Sequence, residues 1–155
     1  IWSEENLADI IYGYGEERFA KRIAKRIVET RQQTRIKTTF DLVKIIESAV
    51  PAAHRRGRLN CATKTFQAIR IAVNDELGAL TEGLKEGFKV LKVGGRMSVI
   101  SFHSLEDRIV KRFYKAKEDN GVANLINKKV ILASDDEIKN NPRSRSAKLR
   151  ILSRL

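Results

Sequence analysis

Apolar residues recur every three or four positions through the first half of this chain and every second position near its end. Over 3–12, Leu7, Ile10 and Ile11 form a stripe behind Ser3, an N-cap candidate, with Glu4 and Glu5 suited to the positive helix end. Gly13 can close that helix. Over 16–31, Phe19, Ala20, Ile23, Ala24, Ile27 and Val28 share a helical face. The opposite face carries Lys21, Arg22, Lys25 and Arg26, a solvated charge run that can also meet phosphate. A third helix is predicted from about 39 to 49, with Thr38 and Asp41 as a capping pair and Pro51 as its stop. Between 65 and 91, Phe66, Ile69, Val73, Leu77, Leu80, Leu84, Phe88 and Leu91 step by three or four. Gly78, Gly83 and Gly87 weaken that run, which predicts one bent helix or two.

The pattern then changes. Gly94 and Gly95 allow a sharp turn, and Met97, Val99, Ile100 and Phe102 make an apolar run of strand length. Ser104 with Asp107 is a capping-box candidate for a helix from Ser104 to about Asp119. Asn120-Gly121 reads as a turn, 122–127 is ambiguous, and Lys129 to Ala133 reads as a short strand. Ser134 to Glu137 caps a brief helix that Asn141-Pro142 ends, and Arg143-Ser144-Arg145-Ser146 is a basic loop. Ala147, Leu149 and Ile151 alternate with Lys148, Arg150 and Leu152 as a half-buried edge strand. The second half is therefore α/β, and strands joined by crossover helices predict one half of a doubly wound sheet. The first half predicts a small all-α subdomain. Nothing in the chain covers both sheet edges, so a larger sheet is expected. Ile1 as first residue and Met97 as sole methionine agree with a carboxyl-terminal part of a longer product.

Charge sharpens the picture. Lys and Arg number 31 against 19 Asp and Glu, a net charge of +12 that points to a polyanionic partner. Lone Cys61 excludes an internal disulfide and suits a reducing cytoplasm; one Cys and two His without ligand spacing argue against structural zinc. No segment has the length and apolarity of a membrane span. His54-Arg55-Arg56-Gly57-Arg58 concentrates positive charge beside a flexible glycine and can fold over a nucleic-acid backbone, or be a mobile surface loop. Gln67, Arg70 and Asn74 lie on one side of their helix, either lining a cleft or else solvated or bonding a neighbouring segment. His103 is placed at the carboxyl end of a strand and just before a helix, the edge where open α/β sheets bind ligands.

Four stretches, Tyr14–Ala24, Lys64–Leu77, Val99–Phe113 and Asn141–Arg150, carry a family resemblance. The most specific is Ser101-Phe102-His103-Ser104-Leu105-Glu106-Asp107-Arg108. Together they resemble the bacterial small-subunit ribosomal RNA cytosine-N4 methyltransferases, the MraW or RsmH family, over essentially the whole chain. The resemblance implies part of a class I, Rossmann-like methyltransferase sheet that uses S-adenosyl-L-methionine, with residues 1–62 as a helical inserted substrate-recognition subdomain. Residues 63–155 would be the C-terminal part of the methyltransferase domain. It implies a cytosine of 16S rRNA in the small ribosomal subunit as substrate, and a cytoplasmic protein. In the family the Gly-rich cofactor loop, the ribose-binding acid and the aspartate-leucine-glycine motif lie upstream. None occurs here, which implies that the cofactor is bound by another half and that this chain alone is inactive. Val93 stands where proline is common in the family's turn.

On that reading, His103 is the candidate catalytic residue, because a neutral imidazole can accept a proton, or else it braces the loop. Glu106 and Asp107 favour the helix start. Arg55, Arg56, Arg58, Arg143 and Arg145 would contact RNA, with Arg70 nearer the base, and Gln67, Asn74 and Ser104 would line the cleft. A non-catalytic RNA-binding or assembly module is the alternative. Homodimerisation or exchange of segments between chains would restore a site in trans.

Overall fold

A computed structural model describes residues 2–57 and 60–155. The chain divides into two compact units, one running to Glu76 and the other from Leu77 to Leu155.

The first unit is all-helical. α1 (Glu4–Gly15) is capped by Ser3, whose hydroxyl accepts from Asn6 N–H. It runs past Gly13 and closes at Glu16, a left-handed residue with φ 48°. α2 (Ala20–Gln33) and α3 (Thr39–Ala49) follow. The expected Thr38–Asp41 box forms in full, and backbone N–H groups of Thr38 and Lys37 hold the Asp41 carboxyl below its usual range. Residues 52–55 make a short helix, α4 (Ala52–Arg55), where a loop was expected. α5 (Thr63–Asn74) stays in this unit and packs on α1, so the compact division falls after residue 76. Ile11, Ile23, Ala24 and Ile46 are fully buried at the centre.

The long apolar run to residue 91 is two helices. The break is at Asp75, left-handed with φ 48°, and not at a glycine. α6 (Glu76–Val90) contains Gly78, Gly83 and Gly87 without interruption. Its carboxyl end is capped from afar: Arg154 Nη1 donates to the carbonyls of Phe88, Lys89 and Leu91 at 3.2, 3.1 and 2.6 Å. A guanidinium there satisfies orphan carbonyls and meets the negative helix end.

The second unit carries the sheet. β1 (Arg96–Ser101), β2 (Ala123–Leu125), β3 (Ile131–Leu132) and β4 (Lys148–Arg154) join in the order β1-β4-β2, with β3 also on β4. Every pairing is antiparallel. The expected crossover-linked half of a parallel sheet is thereby corrected. The last strand, expected at an edge, is the central one. α7 (Ser104–Asp119) and α6 cover one face, where Leu84, Phe88, Val110, Tyr114 and Leu152 form the core. Tyr114 is buried, and its hydroxyl donates to Met97 O at 2.9 Å. Burial pushes its phenol pKa up. Among the described residues β1 has a partner on one side only. α8 (Asp135–Asn140) follows the Ser134 cap, and 142–146 form a 3₁₀ turn where a basic loop was expected.

Candidate functional site

The Ser-Phe-His-Ser stretch lies where β1 runs into α7. The cap is one residue earlier than expected: His103, and not Ser104, is the N-cap, and Glu106, and not Asp107, completes the box. His103 Nδ1 accepts from Glu106 N–H at 3.3 Å. Glu106 Oε2 accepts from Phe102 N–H at 2.8 Å and His103 N–H at 3.2 Å. His103 Nε2 lies 3.3 Å from Glu106 Oε1 but is not aligned for a hydrogen bond. The ring is therefore built into the helix start, with Nδ1 as acceptor and the proton on Nε2. Ser104 is the exposed first residue of α7.

Asp107, released from capping, points to the sheet. Its Oδ1 accepts from Arg150 Nε at 2.7 Å and its Oδ2 from Arg150 Nη2 at 3.1 Å, with Lys148 Nζ 3.8 Å away. The guanidinium holds the Asp107 carboxyl below its usual range. Nothing local in the sequence announces this fork, because its partners stand on different elements.

In the first unit, Arg55 and Arg56 are exposed at and just after α4, and Arg58 lies outside the described residues. The element is anchored by His54. Its Nε2 is 3.4 Å from Oε2 of buried Glu17, and its ring meets Phe19 edge-on at 5.0 Å. Burial pushes the nearby Cys61 thiol up. Gln67 and Arg70 share a 580 Å³ cavity with Asn60, Phe66 and Val43. Arg70 forks onto Glu76 at 2.7 and 3.1 Å, and Asn74 Nδ2 donates to the same carboxylate at 3.4 Å. Gln67 Nε2 donates to Tyr14 O at 3.5 Å. The polar row thus bonds neighbouring segments, and Asn74 is not among the residues around that cavity. In the second unit, Arg143 and Arg145 are exposed on the 3₁₀ turn, which is fixed by buried Ser144 donating to Asn141 O at 2.8 Å.

Among the described residues no helix is long and apolar enough to cross a membrane. Comparison with known proteins adds the family. Three relatives each carry the name ribosomal RNA small subunit methyltransferase H. That of Lactobacillus johnsonii is 47% identical over 168 residues, covering 99% of this chain and 53% of the relative. That of Anaplasma marginale is 52% identical over 152 residues, covering 98% and 52%. That of Persephonella marina is 49% identical over 154 residues, covering 99% and 53%. The chain spans about half the length of these relatives. With the family's model matched along residues 1–155, the chain belongs to the MraW methylase family.

Proposed function

We propose that this chain is part of an S-adenosylmethionine-dependent enzyme that methylates the N4 amine of a cytosine in 16S rRNA. It contributes RNA-facing surface and one side of the catalytic sheet. The match along residues 1–155 to a methylase family carries this reading. The single-sided pairing of β1 supports it, since a free strand edge can continue into a larger, Rossmann-like sheet. Such a protein works in the cytoplasm on the small ribosomal subunit.

The exocyclic amine of cytosine is a poor nucleophile because its lone pair is delocalised into the ring. The enzyme must hold it in near-attack geometry and take up a proton. S-adenosylmethionine, when bound, supplies an electrophilic methyl group on a sulfonium. The cap at the β1–α7 junction uses backbone donors that a nucleoside would otherwise meet. The N–H groups of Phe102, His103 and Glu106 are engaged within the cap, so these three are not offered to a nucleoside. We place the donor pocket outside this chain.

His103 is assigned a positioning role. Its Nδ1 is engaged as acceptor and its Nε2 carries the proton, so taking another proton breaks the cap. Arg55, Arg56, Arg143 and Arg145 are exposed cations for phosphate. Arg70 is partly neutralised by Glu76.

The test is nucleoside mass spectrometry of unmethylated small subunits incubated with S-adenosylmethionine and either the chain alone or the complete protein. N4-methylcytidine is expected from the complete protein only. Its absence there refutes the methylation, and turnover by the chain alone refutes the placement of the donor pocket. The excess of 31 basic over 19 acidic residues keeps a second reading, a non-catalytic RNA-binding module. An inactive complete protein that binds RNA salt-sensitively would favour it. The sizing-column mass of the chain reports any homodimer or segment exchange.

A further inference from the structure

A cavity of 540 Å³ opens on the covered face of the sheet, between α7 and the loop after β2. Lys111, Tyr114 and Lys115 from α7, Leu125 and Lys128 from the β2 side, and Arg150 from β4 surround it. The geometry points to a binding site for one nucleotide unit of single-stranded RNA, its phosphate between Lys111 and Lys128. This inference rests on the RNA-directed reading of the chain.

The charges sort themselves. Asp107, Lys111 and Lys115 recur at intervals of four along α7, so they line one side of the helix. Arg150 is committed to Asp107 by two hydrogen bonds. Lys115 is committed to Glu118 Oε2 at 3.0 Å and Asp119 Oδ1 at 2.9 Å, which also accounts for Glu118, the one acid on the cavity wall. Lys111 and Lys128 remain, both exposed, with no acid in ion-pair contact among the described residues. Lys111 feels the charge of Asp107 one turn away, but Arg150 already answers that carboxylate, and two exposed ammonium groups on one cavity call for an anion.

The rest of the wall says which kind. Tyr114 is buried at the floor of the cavity with its hydroxyl turned to Met97 O, so the apolar flank open to a base is half-buried Leu125. Asn127 is committed to its own loop and to β4. Its Oδ1 accepts from Ile151 N–H at 2.9 Å, and its Nδ2 donates to Lys129 O at 2.7 Å. Those bonds brace the loop that presents Lys128, so the cation is held ready before binding. Charge with an apolar flank, and an amide held by its own loop and β4, describes a grip on RNA that is indifferent to base identity. A nucleotide unit suits the cavity's size.

The test is fluorescence anisotropy with labelled single-stranded RNA at several salt concentrations, comparing the unaltered chain, K111Q/K128Q and R55Q/R56Q. Each phosphate contact contributes about 0.7 to the slope of log K against log salt. K111Q/K128Q is expected to weaken binding several-fold, to flatten the slope by roughly one contact or more, and to do so alike for uridine and adenosine oligonucleotides. Both lysines are exposed, so circular dichroism should be unchanged. Unaltered affinity and slope in K111Q/K128Q, with R55Q/R56Q weakened, would overturn this site and leave the RNA-directed reading standing. Absence of salt-dependent binding by the unaltered chain would overturn both.

Discussion

Asp107 on α7 and Arg150 on β4 form a two-pronged ion pair, at 2.7 and 3.1 Å, across 43 residues of sequence. Both side chains are mostly buried, at 15% and 13% exposure, so water weakens the pair less than at the surface. Asp107→Asn keeps the size and removes the charge, and should cost about 2–3 kcal/mol. Because the pair lowers the folded-state pKa of Asp107, its stabilisation is complete above the ordinary carboxylate value of about 4 and fades as pH falls through the lower folded value. Urea midpoints from pH 7 down to pH 2 should therefore show the gap between wild type and Asp107→Asn closing only below about pH 4. A gap independent of pH would refute this role.

Two glycines of α1 should respond in opposite directions. A Cβ on Gly15 would stand 2.7 Å from Lys64 O and 3.3 Å from Ala68 Cβ, where α1 crosses α5. A Cβ on Gly13 would meet nothing within 4 Å. Gly15→Ala should destabilise by about 1–3 kcal/mol through overpacking. Gly13→Ala should stabilise by about 0.5–1 kcal/mol, because alanine gives up less chain entropy in a helix. Thermal melts of the two variants decide it, and shifts of the same sign would show that the close approach does not matter.

The cap on α7 separates positioning from proton transfer. His103→Ala should cost about 1 kcal/mol, and His103→Asn, whose side-chain oxygen can accept from the same N–H, should restore most of that. In the complete protein, a positioning residue predicts that methylation falls in His103→Ala and largely returns in His103→Asn, with the pH profile unmoved. Equal loss in both variants with a shifted pH profile would make His103 a proton carrier.

Glu17 and His54 tie the arginine-bearing α4 to the helical core, with Oε2 and Nε2 3.4 Å apart. His54→Ala leaves a buried carboxylate oxygen facing an apolar gap and should cost about 1–3 kcal/mol. It should also speed tryptic cleavage after Arg55 and Arg56. Adding Glu17→Gln to His54→Ala should recover part of the loss, as expected for contacting partners. Strict additivity by chemical denaturation would show that the two do not interact.

Local pattern determined much of this protein. Helical spacing of apolar residues placed α1, α2, α3 and α7, and Thr38 with Asp41 fixed a helix start, because each feature reaches no further than one turn. The Ser-Phe-His-Ser-Leu-Glu-Asp-Arg run marked the family. Even the α7 cap had a signal: Glu106 stands three residues after His103, and a full-length acid closes a capping box better than the shorter Asp107. Histidine is an uncommon cap, which hid it. Other features rested on residues far apart in sequence, which only tertiary structure could decide. Alternation in 148–154 cannot say whether a strand is central or at an edge, nor whether its neighbours run parallel, because those depend on which distant segments supply its hydrogen bonds. The Arg154 cap on α6 and the Asp107–Arg150 fork likewise exist only once the chain has folded back on itself.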